Sequence, residues 1–179
     1  SYGEGDFDFW ALRLDDNGIL VWSKTYGGPG ADIARDIVPD GEGGFVVAGD
    51  TQSFGAGHTD FWIVKIDSKG REVWSRTSGG PAADHARATA TGPDGVIAVA
   101  GDTLSFSEGY SDARVLLLDA TGIQIKDSVF GGMGLDILRS IAPIAGGGWF
   151  TAGYSLSFFG GNNGWLLRLD PDVSCKGCF

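Results

Sequence analysis

Basic residues are scarce in this chain of 179 residues: 13 Lys and Arg stand against 23 Asp and Glu, a formal charge of −10. That balance lacks the positive footprint that nucleic acid requires. Long apolar runs are missing as well. Stretches such as Val115–Leu118 span only a few residues, far short of a membrane-crossing helix. The start, Ser1-Tyr2-Gly3-Glu4-Gly5, has neither the basic nor the apolar stretch of a signal peptide, so the expectation is that none exists or that it has been removed. Histidine occurs only as His58 and His85. No G-x-S-x-G motif, no carboxylate pair singled out by spacing and no glycine loop ahead of a helix is present. These absences predict no complete active site, no metal and no cofactor. Sustained helical periodicity with caps is also lacking.

What is abundant is glycine, 31 residues, alongside a hydrophobic content of 42% that is enough for a buried core. The glycines punctuate a repeat of 52 residues. Asp8-Phe9-Trp10 returns as Asp60-Phe61-Trp62, and Trp22 as Trp74. Gly27-Gly28 returns as Gly79-Gly80 and Gly131-Gly132. Asp32 and Arg35 return as Asp84 and Arg87, then as Asp136 and Arg139. Ser53-Phe54 returns as Ser105-Phe106 and Ser157-Phe158. Each unit reads as four short strands rich in Val, Ile, Trp and Phe, for example 61–66, 72–77, 86–91 and 96–101. Turn signals such as Asp16-Asn17-Gly18 and Pro93-Asp94-Gly95 separate them. Four strands per unit of this length form the blade pattern of a β-propeller. The predicted fold class is therefore all-β.

Asp15-Asp16-Asn17-Gly18-Ile19-Leu20-Val21-Trp22 and Asp67-Ser68-Lys69-Gly70-Arg71-Glu72-Val73-Trp74 both fit D-x-x-G-x-x-x-W. With the G-G-x-x-x-D and S-F-G-x-G elements, this resembles the repeats of bacterial and archaeal secreted β-propeller proteins and, more distantly, quinoprotein-like propellers. The resemblance covers nearly the whole chain and implies strands ordered A to D from the axis outward. Blades are then expected at 28–79, 80–131 and 132–179, with 1–27 supplying the outer two strands of an earlier one. The third unit departs from the pattern. Lys126 stands where Trp22 and Trp74 do, and Ala113-Arg114 replace Phe-Trp, so aromatic docking between blades is not implied there. About three and a half blades do not close a ring. Completion is expected from a longer parent polypeptide or from another chain.

The Asp32/Arg35, Asp84/Arg87 and Asp136/Arg139 pairs are read as structural: the acid caps the Gly-Gly turn and the arginine pairs with an acid. Asp15, Asp67 and Asp119 are read as Asx turns rather than calcium ligands. The resemblance implies that loops following the second strand of each unit share one rim with the turns between units. In them Phe54, Phe106 and Phe158 repeat and are expected to plug the space between blades. His58, Glu108, Tyr110, Phe159, Asn162 and Asn163 do not repeat, which makes them the candidates for recognition. Cys175 and Cys178 form a lone C-x-x-C without the further ligands of zinc or the histidine of a haem site. A local disulfide is expected, with free thiols as the alternative. The resulting expectation is an extracellular or periplasmic, non-enzymatic module that offers its loop rim to a protein or glycan. Two alternatives stand beside it: a portion of a quinoprotein-like or lyase-like enzyme whose site needs absent blades, and a structural subunit that assembles through open strand edges.

Overall fold

The computed structural model describes residues 3, 5–158, 161 and 163–175. Among the described residues thirteen strands form four antiparallel sheets, and the helical content is a single 3-10 turn, Pro93–Gly95. β1 (Phe9–Leu14) pairs with β2 (Leu20–Tyr26). The second sheet runs β3 (Asp32–Pro39), β4 (Phe45–Thr51), β5 (Asp60–Ile66), β6 (Glu72–Ser78). The third runs β7 (Asp84–Thr91), β8 (Ile97–Thr103), β9 (Asp112–Leu118), β10 (Gln124–Phe130). The fourth contains β11 (Asp136–Pro143), β12 (Trp149–Ser155) and β13 (Asn163–Leu169). Three strands of the last unit lie among the described residues, and residues 176–179, where the expected fourth would begin, lie outside them. After β13 the chain turns at Asp170–Ser174, and no described residue beyond that turn forms a strand.

Strand alternation builds a separate core between each pair of successive sheets, because neighbouring residues point to opposite faces. Phe9, Trp22 and Tyr26 of the first sheet meet Val47, Trp62, Val64 and Ile66 of the second. The opposite face of the second sheet, with Val46, Ala48, Phe61 and Ile63, meets Ile97, Val99, Leu116 and Leu118 of the third. Ala98, Ala100, Val115 and Leu117 then meet Leu138, Trp149, Leu167 and Leu169 of the fourth. Each inner strand pair carries a bulge at the same repeat position, between Ala34 and Asp36, Ala86 and Ala88, and Leu138 and Ser140.

The D-x-x-G-x-x-x-W motif works across units. Trp22 donates its indole N–H to the Ser68 carbonyl at 3.0 Å, and its ring lies where a Cβ on Gly70 would stand, 2.9 Å away. Trp74 repeats both contacts with Ala120 and Gly122. The tryptophan of one turn thus needs the bare glycine of the next, which also sits at positive φ. Where Lys126 replaces tryptophan, that demand lapses. Val173 takes the glycine position of the next turn at φ 52, a left-handed conformation costly for a β-branched residue, and it is held there by full burial in the third core. Asp172, in the same turn, is held below the ordinary carboxylate range by Ser174 and, more weakly, by the Lys126 charge.

Arg114 resolves the other departure. Trp62 lies between Phe9 (4.5 Å between centroids) and Phe54 (5.2 Å). One repeat later the Arg114 guanidinium occupies the same slot, 4.9 Å from the Phe61 ring and 5.0 Å from Phe106. It is fully buried and bonds Asp127 at 2.7 and 3.0 Å and the Ser78 hydroxyl at 2.7 Å. Stacking between blades therefore continues without the tryptophan, because a planar cation fills an aromatic slot when a carboxylate neutralises it. In the last unit Phe158 rests on Trp165, 5.7 Å between centroids. The repeated phenylalanines therefore cap residues 62, 114 and 165 of their own sheets, and Phe54 and Phe106 keep a little under half of their surface exposed.

Candidate functional site

The rim where the turns between sheets meet the long loops is built from the repeated Asp, Gly and Ser residues. Buried Asp84 accepts the Gly80 N–H at 2.9 Å and the hydroxyls of Ser105 (2.6 Å) and Thr103. Buried Asp32 and Asp136 make the corresponding bonds to Gly28 and Ser53 and to Gly132 and Ser157. A second buried acid, Asp60, accepts N–H groups of Ala56 and Gly57 in the preceding loop. Parallel bridges Phe7–Ala31, Thr59–Ala83 and Ser111–Leu135 tie each loop to the following turn. Gly79 lies between the two carboxylates, so that an added Cβ would stand 1.8 Å from Asp60 Oδ1 and 2.8 Å from Asp84 Oδ2. Burial and the nearby Asp136 charge push the Asp112 carboxyl up, since the two acids share one such setting.

Toward the inner strands, Arg35 bonds Asp50 at 2.8 and 3.0 Å, and Arg87 bonds Asp102. In the fourth sheet Tyr154 replaces the acid, and Arg139 stacks over its ring at 5.7 Å. His85 reaches back to the preceding sheet, its Nδ1 3.5 Å from Asp50 Oδ2, and that contact raises its pKa. Among the described residues no three His, Cys, Asp or Glu side chains converge on one point.

His58, Glu108 and Tyr110 are all exposed on the rim. Asn163 is not a free recognition residue: it pairs with Ser155 as Asp60 pairs with Thr51 and Asp112 with Thr103, so it holds a repeat position. Its Nδ2 donates to the carbonyls of Phe158 and Gly161 and shapes the loop. Phe159, Asn162 and Cys178 lie outside the described residues, and with Cys178 the expected pairing. Cys175 is half-buried against the third core. Sequence reasoning missed Met133, which is 80% exposed beside Tyr110 at 81%. Gly109 packs on the Met133 carbonyl, and this close approach places the two side chains on adjacent segments. A proline stands at the Met133 position in both earlier units, a signal that was readable in the repeat. Below Phe54 a groove of about 570 Å³ opens between β2 and β6, lined by Tyr26, Trp62, Glu72, Ser75, Arg76 and Thr77. Tyr26 donates to the Gly70 carbonyl, and burial with the nearby Asp67 and Glu72 charges pushes its phenol to about 12.

The architecture defines an all-β chain of stacked antiparallel sheets with propeller-like blades. No protein-family model matches the chain. It is similar in structure to a protein of unknown function from Bacteroides caccae, with a TM-score of 0.61 at 14% identity, over 98% of this chain and 55% of that one. It is also 27% identical over 115 residues to the regulatory protein FlaEY of Caulobacter vibrioides, across 57% of this chain and 12% of that protein. The chain thus spans about half of the structural neighbour and about an eighth of the curated relative.

Proposed function

We propose that the chain is a non-enzymatic interaction module of a secreted propeller, extracellular or periplasmic, that offers its loop rim to a protein or glycan partner. The observation that carries the reading is the exposure of Tyr110 and Met133 on adjacent backbone segments held by a buried carboxylate and a parallel bridge. Fixed backbone lowers the ordering cost of binding, and exposed aromatic and thioether side chains are efficient contact groups. The bonds that the buried acids and the inner Arg35 and Arg87 make within the chain support the scaffold role. Similarity to a protein named as regulatory fits binding rather than turnover.

The test is binding of the chain to a glycan array and to a displayed-peptide library. It is repeated with a Tyr110→Ser/Met133→Ser variant whose circular dichroism matches the parent. Ligands selected by the parent and lost by the variant support the rim. Ligands bound equally by both place recognition elsewhere and overturn it.

A further inference from the structure

β1 pairs with β2 alone among the described residues, so its other edge presents unpaired backbone groups. The second sheet records what is missing beside it. Ile33 and Ile37 on β3 are 39% and 49% exposed, whereas Ile137 and Ile141, two repeats later, are 5% and 8% exposed. Between that strand and the β1 edge lies a cavity of about 300 Å³ lined by Phe9, Trp10, Leu12, Ala34, Ile37 and Val47.

We propose that this gap seats a β-hairpin of the repeat's own inner-strand pattern, paired with β1 as β4 is with β5. This inference is independent of the rim. The occupant's chemistry follows from the same interface repeated within the chain. Gly49 stands opposite Trp62, Gly101 opposite Arg114 and Gly153 opposite Trp165, so a glycine stands opposite Trp10. No side chain fits there: a Cβ on Gly101 would lie 1.9 Å from the His85 carbonyl oxygen and 3.1 Å from the Phe61 ring. The preceding position takes alanine, as in Ala48, Ala100 and Ala152. Small aliphatic side chains face the second sheet, as Ala98 and Ala100 face the fourth. Backbone pairing at an open edge with side-chain pockets on alternate positions is the physics of strand addition.

The repeat fixes the experiment, because Ser1 aligns with Ser105. Residues 84–104 are fused directly ahead of Ser1 of the full chain, with a second fusion carrying Gly101→Val within the added segment. The parent fusion is expected to melt several degrees higher than the chain alone and to slow amide exchange across β1 on the order of tenfold. The valine fusion is expected to do neither. Equal behaviour of the two fusions overturns the proposal. Protection of β1 in the unfused chain that grows with its concentration assigns the edge to a second copy and overturns it as well.

Discussion

Arg114 offers the sharpest test of how the sheets are held together. Its side chain is 2% exposed and that of its partner Asp127 is 28% exposed, with 2.7 Å between them. Removing one member of a buried pair costs about 3–5 kcal/mol, and the partial exposure of Asp127 favours the lower end. Loss of stacking on Phe61 and Phe106 adds about 1 kcal/mol. Arg114→Ala is therefore expected to lose about 4 kcal/mol, a fall of roughly 2 M in urea midpoint for a slope near 2 kcal/mol/M. One repeat earlier the same slot holds Trp62, equivalent to Arg114, and Ser75 stands at the position equivalent to Asp127, each paired with the strand neighbour its counterpart has. The double variant Arg114→Trp/Asp127→Ser should consequently recover to within about 1.5 kcal/mol of the parent, although each single substitution is severe. Urea denaturation of the parent, both singles and the double gives the coupling energy. A loss below about 1 kcal/mol for Arg114→Ala, or additivity of the two singles, refutes the slot equivalence.

The His85 contact with Asp50 gives a pH dependence of definite sign. Its raised folded pKa means that its stabilisation is complete below the ordinary histidine value of about 6.5 and is lost as pH rises through the folded value. Melting temperature should fall across that window, and His85→Gln should flatten the fall; an unchanged slope refutes the contact. Gly79→Ala forces a Cβ against two buried carboxylates and should cost about 3 kcal/mol or more, whereas Gly164→Ala, with nothing within 4 Å, should cost nothing measurable. Similar melting curves for the two would show that the rim yields easily.

The spacing of the glycines and aspartates made the strands and turns legible, because those residues act locally: a D-x-x-G turn requires its acid and its positive φ whatever packs against it. The repeat aligned Arg114 with Trp62, but that the arginine would fill the stacking slot was not legible, since this depends on Asp127 and Ser78 arriving from other strands. Asn163 was misread for a different reason. The last long loop is one residue shorter than its predecessors, so the constant shift fails there, while strand pairing restores the register.

Comparison among the units separates scaffold from recognition on physical grounds. Arg114 replaces Trp62 together with Asp127 for Ser75, Lys126 replaces tryptophan together with Val173 for glycine, and Tyr154 replaces an acid beneath a stacked Arg139. Each of these departures is answered by a contact inside the chain, so each preserves packing. The rim series Asp6, His58, Tyr110 and Pro29, Pro81, Met133 behaves differently. Its last members are large, apolar and about four-fifths exposed, and no internal core accounts for them. Apolar surface gained at a fixed, solvent-facing position lowers free energy only when something outside the chain covers it. The proposed partner contact therefore falls on the rim beside the third and fourth sheets.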